Sequence, residues 1–150
     1  MAEPPPGAIF EIFNEIGIIE QLSRARLEAE MPDGLIAPHF AVLNRLVRVR
    51  DGATPMDMAR AFQVPKTSLT HTLKGLDARG LIDMRPNPED GRSKTVWITP
   101  AGRALRDEII ARLAQGFGPL LSQLDVPRLL SIGPALTELR AALDRARDET

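Results

Sequence analysis

Apolar residues recur along most of this chain at helical spacing, and the spacing changes in only one short interval. The first run holds Ile9, Phe10, Ile12, Phe13, Ile16, Ile18, Ile19, Leu22 and Leu27 and predicts a helix over Ile9–Glu30. These residues cover more than one stripe. So broad an apolar surface either packs within its own core or is covered by a partner subunit, and both readings stand. Met31-Pro-Asp-Gly34 breaks the pattern. It resumes over about Ala37–Val49, where Pro38 suits a first helical turn. Val42, Leu43, Leu46, Val47 and Val49 form its core face, and Asp51-Gly52 predicts a turn.

Thr54–Phe62 reads as a short helix with a well-formed start. Thr54 takes the N-cap, Pro55 the first helical position, and Asp57 stands where a capping box usually has Glu or Gln. Met58, Ala59 and Phe62 face inward. Gln63-Val64 is a turn, and Pro65 opens a second helix that Gly80 stops after Arg79. Leu69, Leu73 and Leu76 give that helix one buried stripe.

The spacing then becomes strand-like. Leu81–Arg85 and Thr95–Thr99 predict two strands, with Pro86–Lys94 as a loop rich in Pro, Asn, Asp and Gly. Thr99 caps the next helix and Pro100 begins it. Leu105, Ile109, Ile110 and Leu113 carry it forward, and Gly116, Gly118 and Pro119 predict a kink or interruption. A last helix is expected over about Val126–Arg147, with Leu129, Leu136, Leu139 and Leu143 as its stripe and a bend at Gly133-Pro134. Four helices, two strands and two helices make a mainly α protein with a small β-hairpin. A helical pair followed by such a hairpin is the layout of a winged helix-turn-helix.

Composition narrows the class. The chain has 150 residues and is 43% apolar, which suits one domain with a real core. It has no cysteine, which removes disulfides and thiolate metal sites and fits a reducing cytosol. Met1–Gly7 is Pro-rich and acidic, and it reads as a disordered tail ending near residue 8, with no features of a signal peptide. No stretch is apolar for long enough to span a bilayer. The expectation is a soluble cytoplasmic protein with no membrane partner.

A net charge of −1 does not suggest a nucleic-acid binder, but its distribution does. Gly52–Arg103 carries 8 positive and 5 negative side chains, against 11 positive and 15 negative in the remainder. Around the leucine stripe of the second helix of the pair, Lys66, Thr67, Ser68, Thr70, His71 and Lys74 point outward, with no acid before Asp77. A merely solvated face usually mixes in acids for ion pairs along the helix. An acid-free face of short hydrogen-bonding side chains suits a major groove.

The loop before the second strand contains Asp90-Gly-Arg-Ser-Lys94. Arg92 is suited to a minor groove, with Asp90 as the carboxylate that would hold its guanidinium. Ser93 and Lys94 would meet phosphates. Alone, the segment reads as a solvated turn with a weak local ion pair. Placed just after a helix-turn-helix, it reads as the wing. Thr54 and Arg85 complete the expected DNA-contacting set.

Residues Thr54–Leu105 resemble the DNA-binding core of the MarR family of transcription regulators. The resemblance is carried by TPMDMARAFQVPKTSLTHTLKGLDARGLI, by DGRSK and by WITPAGRAL. The family's Asp-x-Arg-Ser/Lys wing corresponds to Asp90, Arg92, Ser93 and Lys94. The resemblance implies an obligate homodimer that binds a near-palindromic operator. It implies a helical dimerisation region at 9–34 and 100–150 around a DNA-binding region at 35–99. Ile9, Phe10, Phe13, Leu129, Leu136, Leu139 and Leu143 would lie at the subunit interface. It also implies a crevice for a small-molecule effector, with His39, Phe40 and Arg45 as candidate contacts. For His39, a helix-start or interface role is the competing reading. Trp97 reads as packing in the wing strand. Two residues depart from the family pattern: Pro65 stands where Ser often begins the recognition helix, and His71 replaces a frequent Arg.

The function expected is a DNA-binding transcriptional regulator, a repressor released by its effector, with no cofactor or metal. An enzyme is disfavoured. There is no Gly-rich phosphate loop, no His pair at metal-binding spacing and no nucleophile-elbow Ser. The alternative is a winged-helix module that binds protein, against which the acid-free face and the Arg92 wing both argue.

Overall fold

A computed structural model describes residues Met1–Thr150. The elements run α1 (Pro6–Ala29), α2 (Ala37–Arg48), α3 (Pro55–Phe62), α4 (Lys66–Ala78), β1 (Ile82–Asn87), β2 (Asp90–Ile98), α5 (Pro100–Leu121), α6 (Val126–Ser131) and α7 (Gly133–Asp148). Contacts group Met1–Leu113 into one compact unit and Ala114–Thr150 into another.

The core of the first unit is built from Val42, Leu43 and Leu46 of α2, Met58 of α3, Leu69, Leu73 and Leu76 of α4, Ile82 and Val96 of the strands, and Ile109 of α5. Each is almost solvent-free, which stabilises the fold by roughly 1.5–3 kcal/mol per large side chain. The Leu69, Leu73 and Leu76 stripe lies where the sequence pattern puts it. Val49 does not. It follows the last turn of α2 and is 63% exposed, off the buried stripe.

Local chemistry explains the boundaries. The start of α2 is satisfied by two side chains: Ile36 N–H donates to His39 Nδ1 at 2.9 Å, and Ala37 N–H donates to Glu28 Oε1 of α1 at 2.9 Å. The carboxylate also sits at the positive end of the helix. At α3, Thr54 Oγ1 accepts from Asp57 N–H at 3.2 Å, as a cap should. Helix α4 closes in a Schellman turn, with Leu81 N–H donating to Leu76 O and Gly80 N–H to Asp77 O, both at 3.0 Å. Helix α3 closes the same way, but the left-handed residue is Gln63, at φ 55°.

Several boundaries differ from the sequence expectation. Helix α1 begins at Pro6 rather than Ile9, because proline in the first turn has no N–H to leave unpaired. Helix α5 continues through Gly116, Gly118 and Pro119 without interruption. Pro119 lies in the final turn, so its missing N–H costs a helix that is already ending one bond. Where a bend was expected at Gly133-Pro134, α6 stops at Ser131, Ile132 lies between the helices, and α7 starts at Gly133. In an unbroken helix the Pro134 ring would clash with the carbonyl one turn back. Asp125 caps α6 by accepting from Arg128 N–H at 3.1 Å.

The hairpin is longer than its apolar pattern suggests. Ile82 pairs with Ile98, Met84 with Val96, Pro86 with Lys94 and Asn87 with Asp90, leaving Pro88-Glu89 as the turn. Most of the expected Pro86–Lys94 loop therefore lies within the two strands, and Asp90–Lys94 forms the first half of β2, with Gly91, Arg92 and Ser93 bulged between the Pro86–Lys94 and Asn87–Asp90 pairs. Backbone groups make the ladder, so polar side chains do not prevent it. The register shifts between Pro86 and Asn87, where proline has no N–H to donate.

A third segment joins the hairpin. Gly52 N–H donates to Val96 O at 2.8 Å, Val96 N–H to Ala53 O at 2.9 Å, and Ile98 N–H to Asp51 Oδ1 at 2.9 Å. Gly52 has φ +77°, and a Cβ there would fall 2.5 Å from a Trp97 ring atom. At the far end of β2, Thr99 Oγ1 donates to Gly80 O at 2.7 Å and accepts from Gly102 N–H at 3.0 Å. These bonds join the start of α5 to the α4–β1 corner. Arg106 Nη2 adds a bond to Asn44 Oδ1 of α2 at 3.0 Å.

Helix α1 has no buried residue, and Ile9, Phe10, Ile12, Phe13, Ile16, Ile18, Ile19 and Leu22 are all exposed. In the second unit Leu129, Leu136 and Leu143 are exposed and Leu139 is half-buried. No helix is long and apolar enough to cross a membrane.

Candidate nucleic-acid interface

With Leu69, Thr72, Leu73 and Leu76 buried, α4 turns its other face outward. Lys66, Thr67, Thr70, His71 and Lys74 are exposed there and line one open concavity of about 360 Å³. Pro65 precedes the helix as an N-cap without a side-chain bond. Thr70 Oγ1 donates to Lys66 O at 2.9 Å, and Thr72 Oγ1 donates to Ser68 O at 3.1 Å.

A second cleft, of about 420 Å³, lies between α4 and the hairpin. Lys66, Lys74, Arg92 and Lys94 meet there against a single acid, Asp77, over apolar Met56, Leu73 and Met84. Four cations against one carboxylate make a positive surface, and its concave walls focus the field. The sequence places Lys66 and Arg92 far apart, and the fold brings them to the same cleft.

The hairpin's polar residues brace one another. Asn87 Nδ2 donates to Ser93 Oγ at 2.9 Å, and Glu89 N–H donates to Asn87 Oδ1 at 3.1 Å. Asp90 Oδ1 accepts from the backbone N–H of Arg92 at 2.9 Å. The expected clamp of Asp90 on the Arg92 guanidinium is thus replaced by a bond to the main chain. The carboxylate shapes the turn, and the Arg92 side chain stays exposed.

A model of the MarR family matches residues 33–93, from the approach to α2 into β2. An uncharacterised HTH-type transcriptional regulator of Bacillus subtilis, YdgG, is 30% identical over 108 residues, covering 71% of each chain. The chain belongs to the MarR family.

Solved MarR structures share the fold. A MarR regulator from Methanosarcina mazei superposes with a TM-score of 0.78 at 19% identity, over 90% of this chain and 97% of that one. A mutant Escherichia coli MarR in complex with operator DNA superposes at 0.68 and 22% identity, over 91% and 99%. The winged-helix architecture expected from the element order is the one observed, and MarR-family proteins are transcriptional regulators rather than enzymes.

Among the residues expected at the MarR DNA face, the structure gathers Lys66, Thr67, Thr70, His71, Lys74, Arg92, Ser93 and Lys94 around the two concavities. Ser68 is exposed on another flank of α4, where it lines a different crevice. Thr54 is half-buried, with its oxygen engaged by Asp57. Arg85 lies 4.8 Å over the Trp97 ring and pairs with Asp83 at 3.0 Å, so it braces the hairpin. Trp97 Nε1 donates to Thr95 Oγ1 at 2.9 Å, which makes it a packing residue.

The crevice beyond Ser68 has about 340 Å³ and lies between α1, α2 and the α3–α4 pair. Ala37, Pro38, Ala41, Phe62, Val64 and Leu69 form its apolar walls, with Glu20 and Arg24 at its polar side. Arg24 grips Glu20 through two bonds of 2.8 and 2.6 Å. That pair holds the Glu20 carboxyl below its usual range and raises the arginine. Of the three residues expected here, none lines the crevice. His39 is buried, with Nδ1 committed to Ile36 N–H, and burial lowers its pKa. Phe40 is half-buried against the core, and the Arg45 guanidinium lies 5.9 Å over the Phe62 ring. The lining residues are neighbours of those expected.

Proposed function

We propose that this MarR-family chain is a sequence-specific regulator that binds duplex DNA as a homodimer. In this reading α4 enters the major groove and the β1–β2 wing follows the adjacent backbone and minor groove. The observation that carries it is the shared cleft of Lys66, Lys74, Arg92 and Lys94 beside the acid-free face of α4. Lys66, Thr67, Thr70, His71 and Lys74 then face base edges and phosphates, and Arg92 and Lys94 secure affinity.

A second copy of the chain covers the apolar residues left exposed on α1 and α6–α7. Ile9, Phe10, Phe13, Leu129, Leu136 and Leu143 are too many to leave to water on one small chain. This assigns residues 9–34 and 100–150 to dimerisation and 35–99 to DNA. Two recognition helices about 34–36 Å apart call for a near-palindromic operator. The crevice by Ser68 and Phe62 is the place for a small-molecule effector that releases a repressor. Such a protein works in the cytoplasm, where the DNA is.

Titration of a labelled duplex at two salt concentrations tests the reading. Affinity should fall steeply with salt, and Lys94→Ala should reduce the slope of log K against log salt by about one unit. Arg92→Ala should weaken binding to any duplex. No binding at low salt would overturn the proposal.

A further inference from the structure

We infer that Thr70 is a specificity-determining residue that reads the 5-methyl group of a thymine through its own methyl. This rests on the DNA reading above and goes beyond it by assigning one side chain to one base. Thr70 is exposed on the outward face of α4 and lines both concavities, among Lys66, Thr67, His71 and Lys74. Its hydroxyl donates back to Lys66 O at 2.9 Å, one turn earlier in the same helix. A threonine has only two branches beyond Cβ. With the hydroxyl folded onto the backbone, the methyl is the branch presented to the concavity, and the hydroxyl proton is no longer available to a base.

Lys66, Thr67, His71 and Lys74 line the same concavity with hydrogen-bonding side chains, and Thr70 is the one of its two threonines whose hydroxyl is turned back onto the backbone. The major groove offers one apolar group, the thymine methyl, and small apolar contacts recognise it. Guanine and cytosine present only acceptors and an amino donor along that edge, and adenine presents an acceptor and a donor. A Thr70 methyl set against any of them forfeits the contact.

Duplexes selected from a random pool by the full-length protein, then resynthesised with deoxyuridine at each thymine in turn, test the assignment. Uracil removes the methyl and nothing else. In the wild type, one thymine per half-site should be sensitive, with affinity falling about fourfold, the worth of one buried methyl. Thr70→Val keeps the methyl and should keep the thymine-to-uracil ratio. Thr70→Ser keeps the hydroxyl, loses the methyl and should bring the ratio at that thymine to about one. Circular dichroism should show both variants folded.

Three results would overturn the inference: no methyl-sensitive thymine in the wild type, a ratio lost in Thr70→Val, or a ratio kept in Thr70→Ser. Failure of the wild type to bind any duplex at low salt would instead remove the DNA reading itself, and the thymine contact with it.

Discussion

Replacing Gly52 by alanine places a methyl where the Trp97 ring already lies. The backbone there has φ +77°, and the new Cβ would fall 2.5, 2.7 and 2.9 Å from three ring atoms. Left-handed backbone costs a non-glycine residue about 1–2 kcal/mol. The ring can retreat only by giving up its bond to Thr95 and its contact with Arg85. Those contribute about 0.5–1.5 and 0.5–1 kcal/mol. The expected destabilisation is therefore about 2–4 kcal/mol. Urea unfolding followed by far-ultraviolet circular dichroism, at one fixed protein concentration, measures it. With a urea slope of about 2 kcal/mol per molar, the midpoint should drop by roughly 1–2 M. Two other glycines separate the causes. Gly80 has φ +67° with open space around it, so Gly80→Ala reports backbone strain alone. Gly91 is open and has no positive φ, so Gly91→Ala should stay within about 0.5 kcal/mol of wild type. The reasoning fails if Gly52→Ala is no worse than Gly80→Ala.

Two further outcomes follow from the helix ends. Gln63→Gly should stabilise the protein by about 0.5–1 kcal/mol in the same urea assay, because Gln63 holds φ 55° where glycine is unstrained; a loss would refute this. Stability should decline as pH falls below about 6.5, the ordinary histidine value, because burial holds His39 below it. The neutral ring accepts from Ile36 N–H, and the nearby Arg79 and His71 also disfavour its charge. Its contribution is thus present above the unfolded pKa and lost as pH falls through the lower folded value. His39→Gln should flatten the change in urea midpoint between pH 7.5 and 5.5, and an unchanged slope would refute the assignment.

Much of this was legible because the information is local. Thr54 caps the helix it precedes, and Leu69, Leu73 and Leu76 mark a buried stripe by spacing alone. The acid-free face of α4 follows from that stripe by subtraction. The hairpin was harder to read. Its ladder extends over polar residues that no apolar alternation marks, and its anchor, the Asp51 carboxylate on Ile98 N–H, joins residues far apart in sequence. Arg85 and Asp90 have the composition of contact residues, yet nearby partners recruit both, Trp97 in one case and a main-chain N–H in the other. For His39 the sequence leaves a helix-start role and a ligand contact both open, and the Ile36 N–H that its Nδ1 accepts is the helix-start role.

Trp97 is the only tryptophan in the chain, and there is no tyrosine. Its indole packs at the base of the hairpin, against Gly52 and beneath Arg85. The protein's ultraviolet emission therefore comes from one place, the root of the wing. Movement of that root, on meeting a duplex or on loosening before global unfolding, would change the colour or quenching of a reporter the molecule already carries. Rapid-mixing fluorescence can follow the wing in the unlabelled protein.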